Sequence, residues 1–281
     1  MSKVRRFALL GQSISYSKSP DIFAAIARET GRSIVFELRS IEPANLDNEV
    51  SALVGSGCDG FLLTIPFKEQ IISRLNQIDL VAAQIRSVNS VQCRGKHLMG
   101  YNTDLDGFLF GLKPYYDSIR KHKCLLLGAG GAARAVLYGL LTEALVSDVT
   151  VVSRAGKSAS IPSPNVLDSD KVKAVSFDIL SELQLDSFSL IVNATPLGGW
   201  NALDTLPLPE KFKFAENAVY YDLNYNADNP AIRFAKTRGC TTINGSRMLV
   251  AQALKAYLIL TGEVVPFDPI YRAVFGEDFH A

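Results

Sequence analysis

The stretch GFLLTIPFKEQ, residues 60–70, ends an apolar run on one lysine, Lys68. Phe61 to Ile65 reads as a buried strand, and Pro66 followed by Glu69 and Gln70 reads as a helix start with proline at its first position. Lys68 then falls in a first turn, where the helix dipole and desolvation both favour the neutral amine, the form that accepts a proton. Standing alone, it reads first as a solvated surface lysine. Other polar residues collect at strand ends, where open sheets bind ligands. They are Ser17 and Ser19 in SYSKSP, Thr64 in TIPFK, Asn89 in SVNS, and Asn102 and Asp104 in YNTD. Hydroxyls, amides, a lysine and a carboxylate together suit a small polyhydroxylated acid. Each also has a plain structural reading: Ser19 as a helix cap, Asn89 as a turn residue, Asp104 as the cap of the next helix.

A second chemistry lies in LLLGAGGAARAV, residues 125–136. Gly128, Gly130 and Gly131, with Ala129 and Ala132 between and after them, permit a tight turn and close approach of the backbone to a pyrophosphate. The following helix offers its unpaired N–H groups to the phosphates. Ala133 stands where a third glycine is common, so the spacing alone reads equally as a strand-to-helix turn with no ligand. The next strand ends in VVSRAGK, where an NAD site carries an acidic residue for the ribose 2′-hydroxyl. Here Ser153, Arg154 and Lys157 stand instead, and a guanidinium or ammonium suits a 2′-phosphate. The cofactor expected is therefore NADP.

The elements that must position these groups alternate strand and helix almost throughout, which predicts an α/β chain with largely parallel sheets. Phe7 to Leu10 is a strand, followed by a helix with Ser19 as N-cap, Pro20 at N1 and Gly31 as terminator. Ile34 to Ile41 is a strand and Asn45 to Val54 a helix. After Phe61 to Ile65, helices are expected from Pro66 to about Leu75 and from about Asp79 to Ile85. Ser87 to Cys93 then pairs with His97 to Tyr101 across Arg94-Gly95-Lys96. A helix through Leu105 to Leu112 leads to strands at Cys124 to Gly128, Val149 to Val152, Ala174 to Phe177, Leu190 to Ala194 and Val219 to Leu223, the pattern of a doubly wound nucleotide-binding sheet. Arg154 to Asn165, rich in serine and proline, reads as loop. The last helix, Ser246 to Leu260, is apolar on most faces and must be buried, which makes the first domain discontinuous if the helix returns to it.

At 281 residues, 48% hydrophobic and 20% charged, the chain suits two globular domains. A formal net charge of +1 gives no reason to expect nucleic acid or a membrane as partner, so small ligands are the expectation. Phe7 to Leu10 is too short for a leader and no apolar run reaches membrane-spanning length. Cys58, Cys93, Cys124 and Cys240 are far apart, and His97, His122 and His280 have no ligand spacing; neither a disulfide framework nor a metal is expected. The localisation expected is cytoplasmic, and the oligomeric state is not readable.

The motifs SKSP, TIPFK, VNS, NTD, GAGGAAR, NATPLG, YDLNY and MLVAQ occur in the order and approximate spacing of the shikimate dehydrogenase family, which this chain resembles from Ser17 to Gln252. The resemblance implies a discontinuous α/β substrate-binding domain, residues 1–104 and 245–281, and a Rossmann-type NADP-binding domain, residues 105–244. It implies reversible, metal-free reduction of 3-dehydroshikimate to shikimate by NADPH, a step of the chorismate pathway of aromatic amino acid biosynthesis. On the matching motifs, Lys68 and Asp104 resemble the catalytic pair, and Ser17, Ser19 and Tyr225 the groups that bind the substrate carboxylate. Thr64, Asn89 and Gln252 resemble groups holding the ring hydroxyls or carboxylate. Gly128, Gly130, Gly131 and Ala132 match the phosphate turn, Arg154 the residue facing the 2′-phosphate, and Asn193, Thr195 and Gly245 the nicotinamide side. Hydride transfer requires a proton to reach or leave the C3 oxygen, and Lys68 is the acid/base expected to move it.

The chain departs from the family pattern at three places. Leu62 stands where an asparagine usually precedes TIPFK, Ser246-Arg247 replaces an apolar-glycine pair, and Ser153 replaces an asparagine before the cofactor-binding arginine. Losing a buried amide costs about 1 to 3 kcal/mol if substrate hydroxyls then lack partners. Quinate or another analogue is therefore an alternative substrate, and a non-catalytic ligand-binding relative is an alternative from another class.

Overall fold

A computed structural model describes residues 3–143, 145–154, 170–182 and 187–276. Two compact units emerge, one running to Gly107 and resuming at Val250, the other being Phe108–Leu249.

The first unit opens with β1 (Arg5–Gly11), α1 (Ser19–Thr30), β2 (Ile34–Ser40), α2 (Leu46–Gly55) and β3 (Gly60–Leu63). It continues with α3 (Phe67–Gln70), β4 (Gln77–Ile78), α4 (Leu80–Ile85), β5 (Ser90–Arg94) and β6 (His97–Tyr101). Its sheet runs β2-β1-β3-β5-β6-β4. β1 is parallel to β2 and β3, while β5 runs antiparallel to both β3 and β6. The carboxyl ends of β1, β3 and β6 therefore lie on one edge, together with the segment that enters β5. One sheet face packs Ala8, Leu10, Phe61, Leu63 and Val91 over α2. On the other, Phe7 meets Phe23 and Tyr257 ring to ring. At Gly60 an added Cβ would lie 2.7 Å from the Val91 carbonyl oxygen and would also meet Leu260.

α5 (Asp104–Leu112) leads into the second unit, which holds α6 (Tyr116–Ile119), β7 (His122–Leu127), α7 (Gly131–Thr142), β8 (Val146–Ser153), β9 (Val172–Ser176), β10 (Phe188–Asn193), β11 (Val219–Asp222), α8 (Pro230–Lys236) and β12 (Thr241–Ile243). Its six strands are all parallel in the order β12-β11-β10-β7-β8-β9, the doubly wound arrangement, with the topological switch between β7 and β10. Both faces are covered, so β7 reads as an unbroken apolar run from Cys124 to Leu127. α9 (Ser246–Thr261) runs from this unit into the first, where α10 (Phe267–Phe275) follows.

Several local expectations are corrected. Ser19 is the first helical residue of α1 rather than its cap; Lys18 precedes it, and Ser17 Oγ accepts from Ser19 N at 3.2 Å. Pro66 lies just before α3 and not inside it, and the helix expected to Leu75 is one α turn followed by a 3-10 turn, Ile71–Arg74. A four-residue helix carries little macrodipole, so that argument for Lys68 falls away. α8, β12 and α10 are elements the sequence pattern did not name. The expected Ser/Pro loop, Lys157 included, lies outside the described residues beyond Arg154.

The four cysteines are all free thiols. Burial raises the thiol pKa of Cys58 to about 11, of Cys93 to about 12 and of Cys240 to about 11, and it raises that of Cys124 as well.

Candidate active site

In the first unit, the loops leaving β3 and β6 and the segment entering β5 bring one polar cluster together. Lys68 Nζ donates to Asp104 Oδ2 at 2.6 Å, with side-chain exposures of 14% and 6%. Pairing at such burial rules out the solvated surface reading of Lys68. Asn89 is a hub rather than a turn residue: Nδ2 donates to Asp104 Oδ1 at 2.8 Å, to Thr103 Oγ1 at 3.0 Å and to Gln252 Oε1 at 3.3 Å. Its Oδ1 accepts from Thr103 N at 2.7 Å, which fixes which way the amide faces. Asp104 does not cap α5. Asn102 does, accepting from Leu105 N at 3.3 Å, and its own Nδ2 is held by Ser87 O at 2.8 Å. The carboxylate of Asp104 is thereby left for Lys68 and Asn89. Gln252, on the second turn of α9, closes the cluster from the far end of the chain, and Thr103 Oγ1 reaches it at 3.4 Å.

Thr64 follows β3 and its N–H bonds Leu10 O at 2.9 Å, so it sits beside the end of β1. Ser17 and Ser19 follow β1, with their hydroxyls 3.2 Å apart. The cluster combines an ammonium, a carboxylate, an amide pair and hydroxyls at the carboxyl edge of a sheet. Such a set can hold a small hydroxylated acid and move a proton to or from one of its oxygens. Leu62 is 3% exposed in β3 and stands opposite Ser90, whose buried Oγ has no partner among the described residues.

In the second unit, the glycine turn links β7 to α7 at the switch point. Gly128 takes a φ of +108°, a conformation side chains resist, and a Cβ there would come within 3.0 Å of Ala194 O. Gly130 differs: its φ is −78° and an added Cβ would meet no protein atom. Packing within the protein does not require glycine there, whereas a ligand lying on the turn would. α7 is twelve residues long, starts at Gly131 and has no acidic residue in its first turn, so its free N–H groups can take an anion. β8 ends at half-buried Ser153, and Arg154 next to it is exposed.

Asn193 ends β10, the loops after β10 and β11 carry Thr195 and Tyr225, and Gly245 lies beyond β12. Asn193 Oδ1 accepts from Thr195 N at 3.0 Å and from the Thr195 hydroxyl at 2.6 Å. Gly245 is wedged against the β11 loop, its N donating to Asn224 O at 2.9 Å. Tyr225 is half-buried. Two residues beyond those expected, Asp222 and Asn224, organise this region. Asp222, fully buried, accepts from Asn193 Nδ2, Tyr220 Oη, Asn224 N and Asn224 Nδ2. Burial raises its pKa to about 6 although each of those donors acts to lower it. Its signal lay in YDLNY, where an acid and an amide at i and i+2 end an apolar strand.

Comparison with known proteins agrees with this layout. The family model for the shikimate dehydrogenase substrate binding domain matches residues 9–91. A shikimate dehydrogenase (NADP(+)) of Clostridium botulinum strain Hall is 35% identical over 249 residues, 88% of this chain and 93% of that protein. One from Prochlorococcus marinus subsp. pastoris is 32% identical over 282 residues, 97% of this chain and 98% of its own. The solved structure of the Thermus thermophilus shikimate 5-dehydrogenase in complex with NADP(H) and shikimate superposes with a TM-score of 0.81 at 29% identity, covering 96% of this chain and 98% of that one. Relatives of that identity, matched along nearly their whole length and sharing the two sheets described above, place the chain in the shikimate dehydrogenase family.

Proposed function

We propose that this protein is an NADP-dependent oxidoreductase that interconverts 3-dehydroshikimate and shikimate, with unit Phe108–Leu249 holding the cofactor and the unit that includes Lys68 holding the substrate. The observation that carries the reading is the buried Lys68–Asp104 pair, locked by Asn89 at a strand edge lined with hydroxyls and amides. The glycine turn fits a dinucleotide: Gly130 leaves open room, α7 offers an N-terminus, and the end of β8 carries Arg154 and no carboxylate. When bound, NADPH supplies the hydride.

As C3 is reduced, Lys68 Nζ gives a proton to its oxygen; in the reverse direction the amine takes that proton. Asp104 holds the ammonium in place, and Asn89 keeps the carboxylate from rotating away. Ser17, Ser19 and Tyr225 bind the substrate carboxylate, while Thr64, Asn89 and Gln252 bind its ring hydroxyls. Gly128, Ala129, Gly130, Gly131 and Ala132 cradle the phosphates. Arg154, with Ser153 and Lys157, meets the 2′-phosphate, and Asn193, Thr195 and Gly245 line the nicotinamide side.

The test is a panel of kcat/KM values for purified protein with NADP or NAD against shikimate, quinate and amino-substituted analogues. NADP with shikimate is expected to lead; turnover with none of the panel would leave only a ligand-binding role. Arg154→Ala is expected to erode the preference for NADP over NAD by about tenfold, through loss of a charge-assisted contact. An unchanged ratio removes Arg154 from the account.

A second reading, quinate or another analogue as substrate, is favoured by Leu62, an apolar residue buried at the strand end. Leu62→Asn is expected to raise kcat/KM for shikimate relative to quinate by about tenfold, the scale of a restored buried hydrogen bond. Equal ratios in the two proteins would show that this position does not select the substrate.

A further inference from the structure

Asp222 ends β11 beside Asn193, the last residue of β10, and the two are register partners. Its Oδ2 accepts from Asn193 Nδ2 at 2.9 Å and Tyr220 Oη at 3.1 Å, and its Oδ1 from Asn224 N at 2.9 Å and Asn224 Nδ2 at 2.8 Å. Four donors converge on two oxygens, so only an acceptor at both atoms satisfies them. Both amides then pass the order onward. Asn193 Nδ2 also donates to Leu197 O at 2.9 Å, and Asn224 Nδ2 donates to Thr195 O at 3.1 Å and Leu197 O at 3.3 Å. Asn226 adds a bond to Gly198 O at 3.0 Å. The loop of residues 194–199 is thus held by side chains from the next strand's loop. It leans in turn on the glycine turn, since Ala194 O and Thr195 Cγ2 fill the space beside Gly128.

Asp222 itself is fully buried and touches no ligand space. A buried carboxylate is costly, and an apolar side chain would pack a strand end more cheaply. What the charge adds is orientation: it dictates which way Asn193 and Asn224 face.

We propose that Asp222 is a positioning residue for the dinucleotide, setting Asn193 and Asn224 and through them the 194–199 loop that walls the glycine turn. The inference rests on the reading of this unit as the NADP site. An asparagine at 222 would turn an N–H toward one pair of donors, and the loop would lose its register against Gly128.

The experiment titrates NADP+ into the full-length protein, following the fluorescence of Trp200, the chain's one tryptophan, 44% exposed at the end of that loop. Asp222→Asn is expected to raise the NADP+ Kd at least tenfold and to shift the Trp200 emission of the ligand-free protein, while shikimate Kd by calorimetry stays within twofold. Asn224→Ala, which leaves the carboxylate in place and cuts its arm to Thr195 O and Leu197 O, is expected to weaken NADP+ severalfold, and it decides the matter should Asp222→Asn not fold. A wild-type protein that binds NADP+ with a folded variant binding it equally well overturns the role of Asp222 alone. A wild-type protein that does not bind NADP+ overturns the cofactor reading and this inference with it.

Discussion

Lys68→Ala protein is expected to fold, to bind shikimate within a few-fold of wild type, and to lose about 10²- to 10⁴-fold in kcat, the range general acid/base groups supply. Lys68 Nζ sits 2.6 Å from Asp104 Oδ2 with both side chains nearly out of solvent, which is poor value as a stabilising contact. Desolvating two charges offsets most of their attraction, so a pair like this adds little to stability that apolar packing would not. Truncating the lysine leaves Asp104 its bond from Asn89 Nδ2 at 2.8 Å but takes away its countercharge, a stability loss of about 3 to 5 kcal/mol. The change in kcat should therefore far exceed any change in the far-UV spectrum or in shikimate affinity. Asp104→Asn separates the partners: it keeps a hydrogen-bonding side chain beside Asn89 while removing the charge that orients the ammonium. Wild-type-like kcat in Lys68→Ala would sink the acid/base assignment outright.

Gly245→Ala is expected to destabilise the chain by about 3 kcal/mol or more, a fall in Tm of roughly 6 to 12 °C for a unit of this size. The space a methyl would need is already filled by backbone, not by a flexible side chain. A Cβ on Gly245 would overlap the Leu223 carbonyl oxygen, lie 2.5 Å from its carbon and come within 3.1 Å of Asn224 O. Relief would have to come from moving the β11 loop, which is pinned by Gly245 N to Asn224 O at 2.9 Å and by the Asp222 bonds to Asn224. Calorimetric melting of the two proteins checks this; a Tm within 2 °C would mean that the loop yields freely. Cofactor affinity should fall together with stability, because the displaced segment is the one that carries Asn224.

Much of this was legible in residue types and spacing. Alternating strand and helix patterns located the strands of both sheets, β4 and β12 excepted, to within a few residues, because buried parallel strands read as apolar runs. Polar residues immediately beyond those runs marked the carboxyl edges where Lys68, Asn89 and Asp104 assemble. Hydrogen-bond partners were not legible, since they depend on distances the local pattern does not encode. Asn89 and Gln252 are 163 residues apart, and nothing near either one signals the other. Caps failed by one or two positions for a related reason: Ser17, Lys18 and Ser19, or Asn102 and Asp104, are nearly equivalent in local chemistry, and tertiary partners choose among them. Asp104 was taken from the capping role by Lys68 and Asn89. Asp222 stands at the end of an apolar strand, where a carboxylate's purpose shows only once its four donors converge.

Thiols whose pKa is raised to about 11 or 12 hold almost no thiolate at neutral pH, and the thiolate is the reactive form. The same burial that places Cys58, Cys93, Cys124 and Cys240 in or beside the cores is expected to make all four slow to react with maleimides. A cysteine introduced on the exposed surface of the 194–205 loop would therefore carry a fluorophore or spin label alone, with every native thiol left in place, and any response of that loop to ligand binding would be read directly from one probe.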